Sequence, residues 1–396
     1  MRPTLLPKLL FCDGYQLILD IVASVLRQAA PSHIVCYYDS RLGHSEIDLR
    51  RMAALGKAIG TDLWLEFVVP SVDDFKLDLQ RLGRTLSELG KPFAAVLISP
   101  APDLKCTLPG SPWPPCPPLA ACYQAARKVL PDVLLGGGMF SFFTELNRKR
   151  PPVEWLDFVT FTTVAIFHAG DDRSAMESLE SLPYLAESVQ AFIDGKPYHV
   201  GPSAIGLRMN PYGEGPMANP DNIRQAMNGM DPRQRGLFAA AWSLGFVARF
   251  TTGGAEAITL GGGVGEFGIA YARMDYQQPY FDEEGGVYPV YHVFKGLASL
   301  AGQPLVEVAN SQPCEIQAIA VERDNGVEIW IANLTSRTKI VEWTTEFAGR
   351  AAVLAGSVFE LASRDSDVMN SLEREFTDKE LTLAPYAVAR LGSRGQ

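Results

Sequence analysis

Residues 33–69 have the sequence HIVCYYDSRLGHSEIDLRRMAALGKAIGTDLWLEFVV, and this stretch indicates the fold class. Two runs of apolar, β-branched and aromatic residues, 33–39 and 62–69, flank a segment in which apolar residues such as Leu49 and Met52 recur at helical spacing. Short buried runs on either side of an amphipathic helix are typical of parallel strands joined by a crossover helix. The stretch therefore predicts one strand–helix–strand unit.

The same alternation recurs along the chain as far as Gly302. Further apolar runs lie at 8–12, 94–99, 132–136, 158–163, 198–205 and 257–260. Eight strands that alternate with helices are the count of a (β/α)8 barrel, whereas an open doubly wound sheet more often has five or six strands. Residues 1–302 are therefore predicted to form a (β/α)8 TIM barrel, an α/β fold, that carries the candidate active site.

After Gly302 the pattern changes to short alternating strands. Residues 315–322 and 327–333 flank Asp324-Asn325-Gly326, which is a hairpin-turn signal. Further strands are predicted at 350–354, 358–361 and 381–391. We expect residues 303–396 to form a small C-terminal antiparallel β domain, similar to a β-sandwich, that packs on the barrel and buries Ile316 and Trp330.

Composition and charge disfavour some classes of binding partner and favour one cellular compartment. The net charge of −10 disfavours binding to a nucleic-acid backbone, and no run of about 18 apolar residues predicts a membrane span. Cys12 and Cys36 lie in apolar runs, as buried free thiols do, and the N-terminal run lacks a small-residue cleavage site. We therefore predict a cytoplasmic protein with a small-molecule ligand, no nucleic-acid partner and no membrane partner.

The site of a barrel of this kind lies at the carboxyl ends of its strands, so we collected the polar residues within or after each strand. Four are predicted to be catalytic, namely Glu145, His168, Asp172 and Glu266. Seven are predicted to bind substrate, namely Asp39, Glu66, Asn147, Arg148, Arg208, Asn210 and Tyr212. Carboxylates, amides, guanidiniums and one histidine together suit a small polyhydroxylated ligand.

Alternative roles stay open for several of these residues. Glu145 could instead lie on an outer helix surface, and Glu66 could face either the barrel interior or the helix layer. Asp171 and Asp172 could orient His168, or one of them could cap the next helix. The site requires no metal and no cofactor, although its carboxylates leave a divalent cation as an alternative.

Several stretches resemble the D-apionate lactonases. The matching segments are GGG at 136–138, FTELNRKRP at 143–151, FVTF at 158–161, HAGDD at 168–172, RMNPY at 208–212, DPRQ at 231–234, AAAWSLG at 239–245 and PVYHV at 289–293. The resemblance implies a (β/α)8 core with β-rich flanking domains. It also implies hydrolysis of a branched sugar lactone, D-apionolactone or a similar aldonolactone, to its aldonate in carbohydrate catabolism.

Two departures from the family pattern affect this expectation. Family members carry an N-terminal β domain before the barrel, and we predict a divergent member that lacks it. The eighth strand of the family ends in a carboxylate, whereas residues 259–266 here are TLGGGVGE. Glu266 is the residue that would replace that carboxylate from the following loop.

Three functions follow from these residues. The leading one is a lactone hydrolase, in which His168 or Glu145 activates water and the arginines or Asn210 stabilise the oxyanion. The second is a glycoside hydrolase, which needs two carboxylates about 5 Å or about 6.5–9.5 Å apart, with Glu145 and Glu266 as candidates. The third is a degenerate barrel that binds a sugar acid without turnover, which the glycines of the eighth strand suggest.

Overall fold

The computed structural model describes residues 2–6, 15–324, 326–344 and 347–393, with side chains from residue 22 onward. Within them eight parallel strands close into a barrel, because β1 pairs with both β2 and β8. The strands are β1 (Arg2–Leu6), β2 (His33–Tyr38), β3 (Asp62–Val69), β4 (Phe93–Pro100), β5 (Leu134–Phe142), β6 (Phe158–Thr162), β7 (Tyr198–Ser203) and β8 (Ala257–Val264), and a short β9 (Gly268–Ala270) pairs with β8. The predicted (β/α)8 barrel is confirmed.

Helices cover the outside of the barrel. They are α1 (Tyr15–Ala29), α2 (Glu46–Ile59), α3 (Phe75–Glu88), α4 (Leu119–Val129), α5 (Phe143–Lys149), α6 (Asp172–Glu177), α7 (Leu182–Gln190), α8 (Leu237–Thr252) and α9 (Pro289–Ser299). Helix α2 shows why they form, since Ser45 and Asp48 make a capping box at its start and Gly60 ends it with a φ of 78°. No helix in the described part of the chain has the length and apolar character to cross a membrane.

Aromatic and imidazole rings fill the lower part of the barrel interior. The Trp64 ring stacks on His33 at 3.7 Å and on His199 at 4.6 Å, and Phe158 stacks on His199 at 4.0 Å. Gly136 leaves room for these rings, because a Cβ atom there would overlap the Phe158 side chain. These histidines therefore have a structural role, and they lie near the amino ends of their strands.

Some predicted strand positions need correction. The first predicted strand, 8–12, lies outside the described residues. The strand predicted at 132–136 continues to Phe142 as β5, and residues 136–138 lie inside it, where close neighbours exclude side chains. Residues 358–361 lie in a 3₁₀ turn and a helix instead of a strand, and the strand predicted at 381–391 is interrupted near Tyr386, which has a φ of 55°.

The chain after the barrel is antiparallel. Its elements are β10 (Leu305–Val306), β11 (Ile316–Arg323), β12 (Gly326–Asn333), β13 (Lys339–Glu342), β14 (Gly349–Leu354), α10 (Phe359–Arg364), α11 (Val368–Ser371), β15 (Arg374–Phe376), β16 (Glu380–Leu383) and β17 (Val388–Ser393). One sheet has the order β10-β11-β12-β17-β14-β15, and β13 pairs with β16 in a second sheet. Ile316 and Trp330 are 8% and 0% exposed, as predicted.

Two ring contacts connect the β domain to the barrel. The Trp330 indole lies directly against Gly296 of α9, leaving no space for a larger residue. Tyr386 contacts the ring of Phe238 on α8 at 5.1 Å, and the guanidinium of Arg233 lies 5.5 Å from the same Phe238 ring. The β domain therefore contacts both α8 and α9.

We predict that Gly296→Ala destabilises the protein, although alanine is normally favoured over glycine in a helix by about 1 kcal/mol. The added methyl group overlaps the Trp330 ring, and such overpacking costs about 1–3 kcal/mol. Urea unfolding of Gly296→Ala, Trp330→Leu and the double variant measures this. The double variant should be more stable than the sum of the two single effects predicts. Simple additivity would contradict the proposed overlap.

Candidate active site

A cavity of about 370 Å³ lies at the carboxyl ends of the barrel strands. The loops that follow β2, β4 and β7 line it, together with the end of β8 and the segment that follows it. Its charged lining residues are Asp39, Arg41, Asp48, Lys105, Arg208 and Glu214. The cavity therefore lies where the fold was expected to place its site.

A buried ion pair between Glu66 and Arg208 lies at this cavity. Glu66 follows Trp64 by two residues on β3, so both side chains face the barrel interior. Nη1 of Arg208 donates to Oε1 of Glu66 at 3.1 Å, and Nη2 donates to the other carboxylate oxygen. Burial raises the pKa of Glu66, and the charge of Arg208 partly opposes that rise. Two of the N–H donors of Arg208 therefore bind Glu66.

Asp39 organises the loop between β2 and α2. Its carboxylate accepts hydrogen bonds from the Tyr37 hydroxyl at 3.2 Å and from the amide, Nε and Nη2 of Arg41 at 3.0, 3.0 and 2.7 Å. Burial and the Asp39 charge both raise the pKa of Tyr37. The backbone amide of Asp39 donates to Nδ1 of His44 at 3.0 Å. Asp39 therefore serves as an acceptor that fixes this loop.

Glu145 is fully buried at the start of α5 and does not lie on an outer helix surface. Oε1 accepts from Nη1 of Arg148 at 2.5 Å and from the Tyr212 hydroxyl at 3.4 Å. Oε2 accepts from the amide of Thr107 at 3.2 Å and lies 3.9 Å from Nζ of Lys149. The carboxylate thereby connects the loops that follow β4, β5 and β7.

The two predicted asparagines make local contacts. Asn147 is exposed and accepts a hydrogen bond from Arg150 at 3.0 Å. Asn210 lines the cavity, but its Oδ1 accepts from the amide of Tyr212 at 3.0 Å and its Nδ2 donates to the carbonyl of Gly215 at 3.1 Å. Asn210 therefore shapes the β7 loop through one of its two amide N–H groups and its carbonyl oxygen.

His168 is exposed, and its ring meets Phe167 edge-on at 4.8 Å. The aspartates expected to orient it have other partners. Asp171 accepts from the amide of Ser174 at 2.9 Å and caps α6, which is the alternative considered from the sequence. Asp172 accepts from Arg224 at 2.8 Å and from Arg233 at 3.2 Å. The expected histidine–aspartate pair is therefore not formed.

Glu266 follows β8, and its carboxylate is also fully engaged. It accepts hydrogen bonds from Arg235 and Asn222, and from the Tyr276 hydroxyl at 2.8 Å. Burial raises the pKa of Glu266, and these donors partly oppose the rise. Glu266 therefore holds the β7 and β8 loops together.

The expected shared cavity for Glu145, His168, Arg208 and Asn210 holds for two of the four. Arg208 and Asn210 line the cavity, and Glu145 and His168 do not. His44 and Glu214 are among the lining residues that sequence reasoning missed. The signal for His44 was its position in the short loop, residues 39–45, between β2 and α2, since the loops that follow the strands lie at the mouth of the barrel.

The structure also shows the partners of the carboxylates that were considered as ligands of a divalent cation. Asp39, Glu66 and Glu145, the carboxylates considered for a divalent cation, each pair with an arginine instead. Within the described ranges, no group of three His, Cys, Asp or Glu side chains is arranged to hold a metal ion.

The architecture defines the class of protein as a (β/α)8 barrel with an appended antiparallel β domain. Two glycoside hydrolase family 30 xylanases have this fold. The endoxylanase from Clostridium papyrosolvens has a TM-score of 0.58 at 11% identity, covering 99% of this chain and 95% of its own. Xyn30A from Clostridium acetobutylicum has a TM-score of 0.56 at 10% identity, covering 98% and 95%. At such low identity these similarities concern the fold.

Sequence similarity identifies the family. Residues 19–302 match the D-apionate lactonase TIM barrel domain, and residues 313–391 match the C-terminal immunoglobulin-like domain of the same proteins. D-apionate lactonase of Brucella anthropi is 37% identical over 317 residues, which is 80% of this chain and 51% of that protein. The chain belongs to the D-apionate lactonase family, as its motifs predicted. It spans about half the length of this curated relative.

We predict that Arg208→Met destabilises the protein by about 3–5 kcal/mol at neutral pH, because it leaves Glu66 buried without its cation. The pKa of Glu66 then rises further. Above about pH 4.3, where unfolded glutamate has lost its proton, the folded variant still binds one, so its free energy of unfolding falls as the pH rises.

Urea unfolding between about pH 5 and 8 checks this expectation. The matched control is the double variant Glu66→Gln with Arg208→Met, which removes both charges and should not show the added pH dependence. A single variant as stable as its parent at every pH would contradict the paired state of Glu66.

Proposed function

We propose that this chain hydrolyses a small sugar lactone, D-apionolactone or a similar aldonolactone, to the corresponding aldonate. Family membership supports the reaction class. The observation that carries the proposal is that the arginines lining the cavity, Arg41 and Arg208, are each paired with a buried carboxylate, Asp39 and Glu66 respectively. A cavity with neutralised arginines suits an uncharged lactone better than a charged acid.

The charge of the cavity as a whole agrees with this preference. Its lining contributes three carboxylates and three cations, and the carboxylate of Glu66 adds a further negative charge beside Arg208. A negative balance in a partly buried space disfavours an anionic product. This supports a hydrolase that binds the lactone and releases the acid over a barrel that retains a sugar acid.

Glu214 is our proposed general base. It lines the cavity on the β7 loop, is exposed, and has no hydrogen bond within the described part of the chain. The other candidate carboxylates, Asp39, Glu66, Glu145 and Glu266, are buried and bonded to donors. A base needs a free oxygen that water can reach, and Glu214 meets that need best.

The pairing of buried carboxylates with arginines also argues against a glycoside hydrolase. That reaction needs one protonated carboxyl group and one carboxylate that faces the sugar. Glu145 and Glu266, the candidates from the sequence, each hold a loop arginine and other donors with their oxygens. Neither carboxylate lines the cavity.

The cysteines support the cytoplasmic location proposed from the sequence. Cys36 and Cys122 are buried and free, and burial raises the pKa of each thiol to about 12. Unpaired thiols of this kind are usual in a reducing compartment.

We expect the purified chain to release acid from aldonolactones and to leave aryl glycosides intact. A pH-stat assay over both panels measures this. The aldonate product should bind weakly, and Glu66→Gln, which leaves Arg208 with an uncompensated charge, should tighten aldonate binding about tenfold or more, that is by about 1.4 kcal/mol. Calorimetric titration measures the binding. Tight aldonate binding without lactone turnover would instead favour a sugar-acid-binding barrel.

We predict that Glu214→Gln lowers kcat by on the order of 10²–10⁴, the usual contribution of a general base. Asp221→Asn is the matched control, because Asp221 is exposed on the same loop and does not line the cavity. Steady-state kinetics and thermal unfolding are measured on the same preparations. Equal turnover in both variants would remove Glu214 from the proposed mechanism.

A further inference from the structure

We propose that His44 is held as a neutral imidazole whose Nε2–H group donates a hydrogen bond to the oxyanion formed from the lactone carbonyl. The proposal rests on the function proposed above and adds a catalytic residue to it. His44 lines the cavity and follows β2 in the short loop that leads to α2. Its role in this proposal is to donate a hydrogen bond without transferring its proton.

The tautomer follows from one hydrogen bond. Nδ1 of His44 lies 3.0 Å from the backbone nitrogen of Asp39, and a backbone N–H group is a donor and never an acceptor. Nδ1 must therefore carry a lone pair and no proton, which leaves the ring proton on Nε2. A proton on Nδ1 would face the amide hydrogen of Asp39, and the hydrogen bond between the two groups would be lost.

The loop keeps this geometry rigid. Gly43 adopts a φ of 85°, a conformation that favours glycine, and this turn returns the chain so that His44 faces Asp39. The backbone of Asp39 is fixed in turn, because its carboxylate binds Tyr37 and Arg41. The His44 ring lies 6.2 Å from the Tyr37 ring and 5.9 Å from the Tyr38 ring. A donor held in this way needs little reorganisation during the reaction.

The other donors expected at the cavity are already partly engaged. Arg208 donates twice to Glu66, and the side-chain amide of Asn210 donates to the carbonyl of Gly215. Nε2 of His44 has no hydrogen-bond partner within the described ranges. A neutral imidazole that polarises a carbonyl is an established catalytic device in another barrel enzyme, triosephosphate isomerase.

The step conserves atoms and electrons. The oxygen of water bonds to the lactone carbonyl carbon, one of its protons passes to Glu214, and the carbonyl π electrons move to the oxygen that His44 stabilises. When the intermediate collapses, the C=O bond re-forms and the ring C–O bond breaks. The departing ring oxygen takes the proton from Glu214 and becomes a hydroxyl group. The new carboxylic acid then loses its proton to solvent.

The tautomer is tested without any assay of turnover. Nitrogen NMR of the full chain labelled in its five histidines reports the protonation of each ring nitrogen, and the spectrum of His44→Gln identifies the His44 signals. At pH 7.5 we expect a bare Nδ1 and a protonated Nε2. A protonated Nδ1 at that pH, as either the other tautomer or the imidazolium, would overturn the proposal.

Two variants test the chemistry. Glutamine keeps an N–H donor near the position of Nε2 but cannot take up a proton, so His44→Gln should keep kcat within about tenfold of the parent. His44→Ala should lose on the order of 10²–10³ in kcat, which is the cost of one oxyanion donor. Equal losses in the two variants would assign the imidazole another role and overturn the proposal.

A stable lactone analogue separates this proposal from the proposed function. A five-membered sugar lactam, in which a ring nitrogen replaces the ring oxygen, presents the same carbonyl oxygen. We expect it to shift the Nε2–H signal of His44 even if the parent turns over no lactone. Inactivity of the parent contradicts the proposed function alone, whereas lactam bound without a shift of this signal contradicts the role of His44.

Discussion

The arrangement of the candidate site depends on the pairing of Glu66 with Arg208 inside the barrel. A carboxylate fixed on β3 cannot remain ionised there without a cation, since burial of an isolated charge is costly. Arg208 supplies that cation from the loop after β7 and contributes to the cavity lining. The pair therefore sets both the position of that loop and the charge that a ligand meets.

Other buried carboxylates at the mouth of the barrel are also paired with cations. Glu145 and Glu266 are buried carboxylates that hold arginines and join neighbouring loops. Charged residues that resemble a catalytic set in the sequence thus act largely as internal supports. Within the described part of the chain, the carboxylate of Glu214 and Nε2 of His44 line the cavity without a hydrogen-bond partner, and these are the groups that we propose for the chemistry. This division supports the proposal that a site rich in charges accepts an uncharged ligand.

The barrel could be predicted from the sequence because apolar runs and helical spacing are local properties, as the match at α2 illustrates. The residues after strands could also be assigned to the mouth of the barrel. Which of them pair could not be predicted, because Glu66 and Arg208 are 142 positions apart in sequence. Asp171 caps α6, which is the alternative left open by the sequence, because a carboxylate near a histidine can equally cap the next helix; the catalytic role of His168 stays a prediction. The family motifs identified the relatives, but none of the matching segments includes His44.

The ring contacts between the β domain and the barrel limit how independently the sequences of the two domains can change. Tyr386 of the β domain contacts Phe238, which also meets the guanidinium of Arg233. Arg233 in turn binds Asp231, at the end of the loop that begins near Arg208, and Asp172, at the start of α6. The appended domain is therefore not a freely exchangeable module. A chimera that took its β domain from a relative would have to transfer Tyr386 and Phe238 as a matched set to keep the supports of the cavity loops.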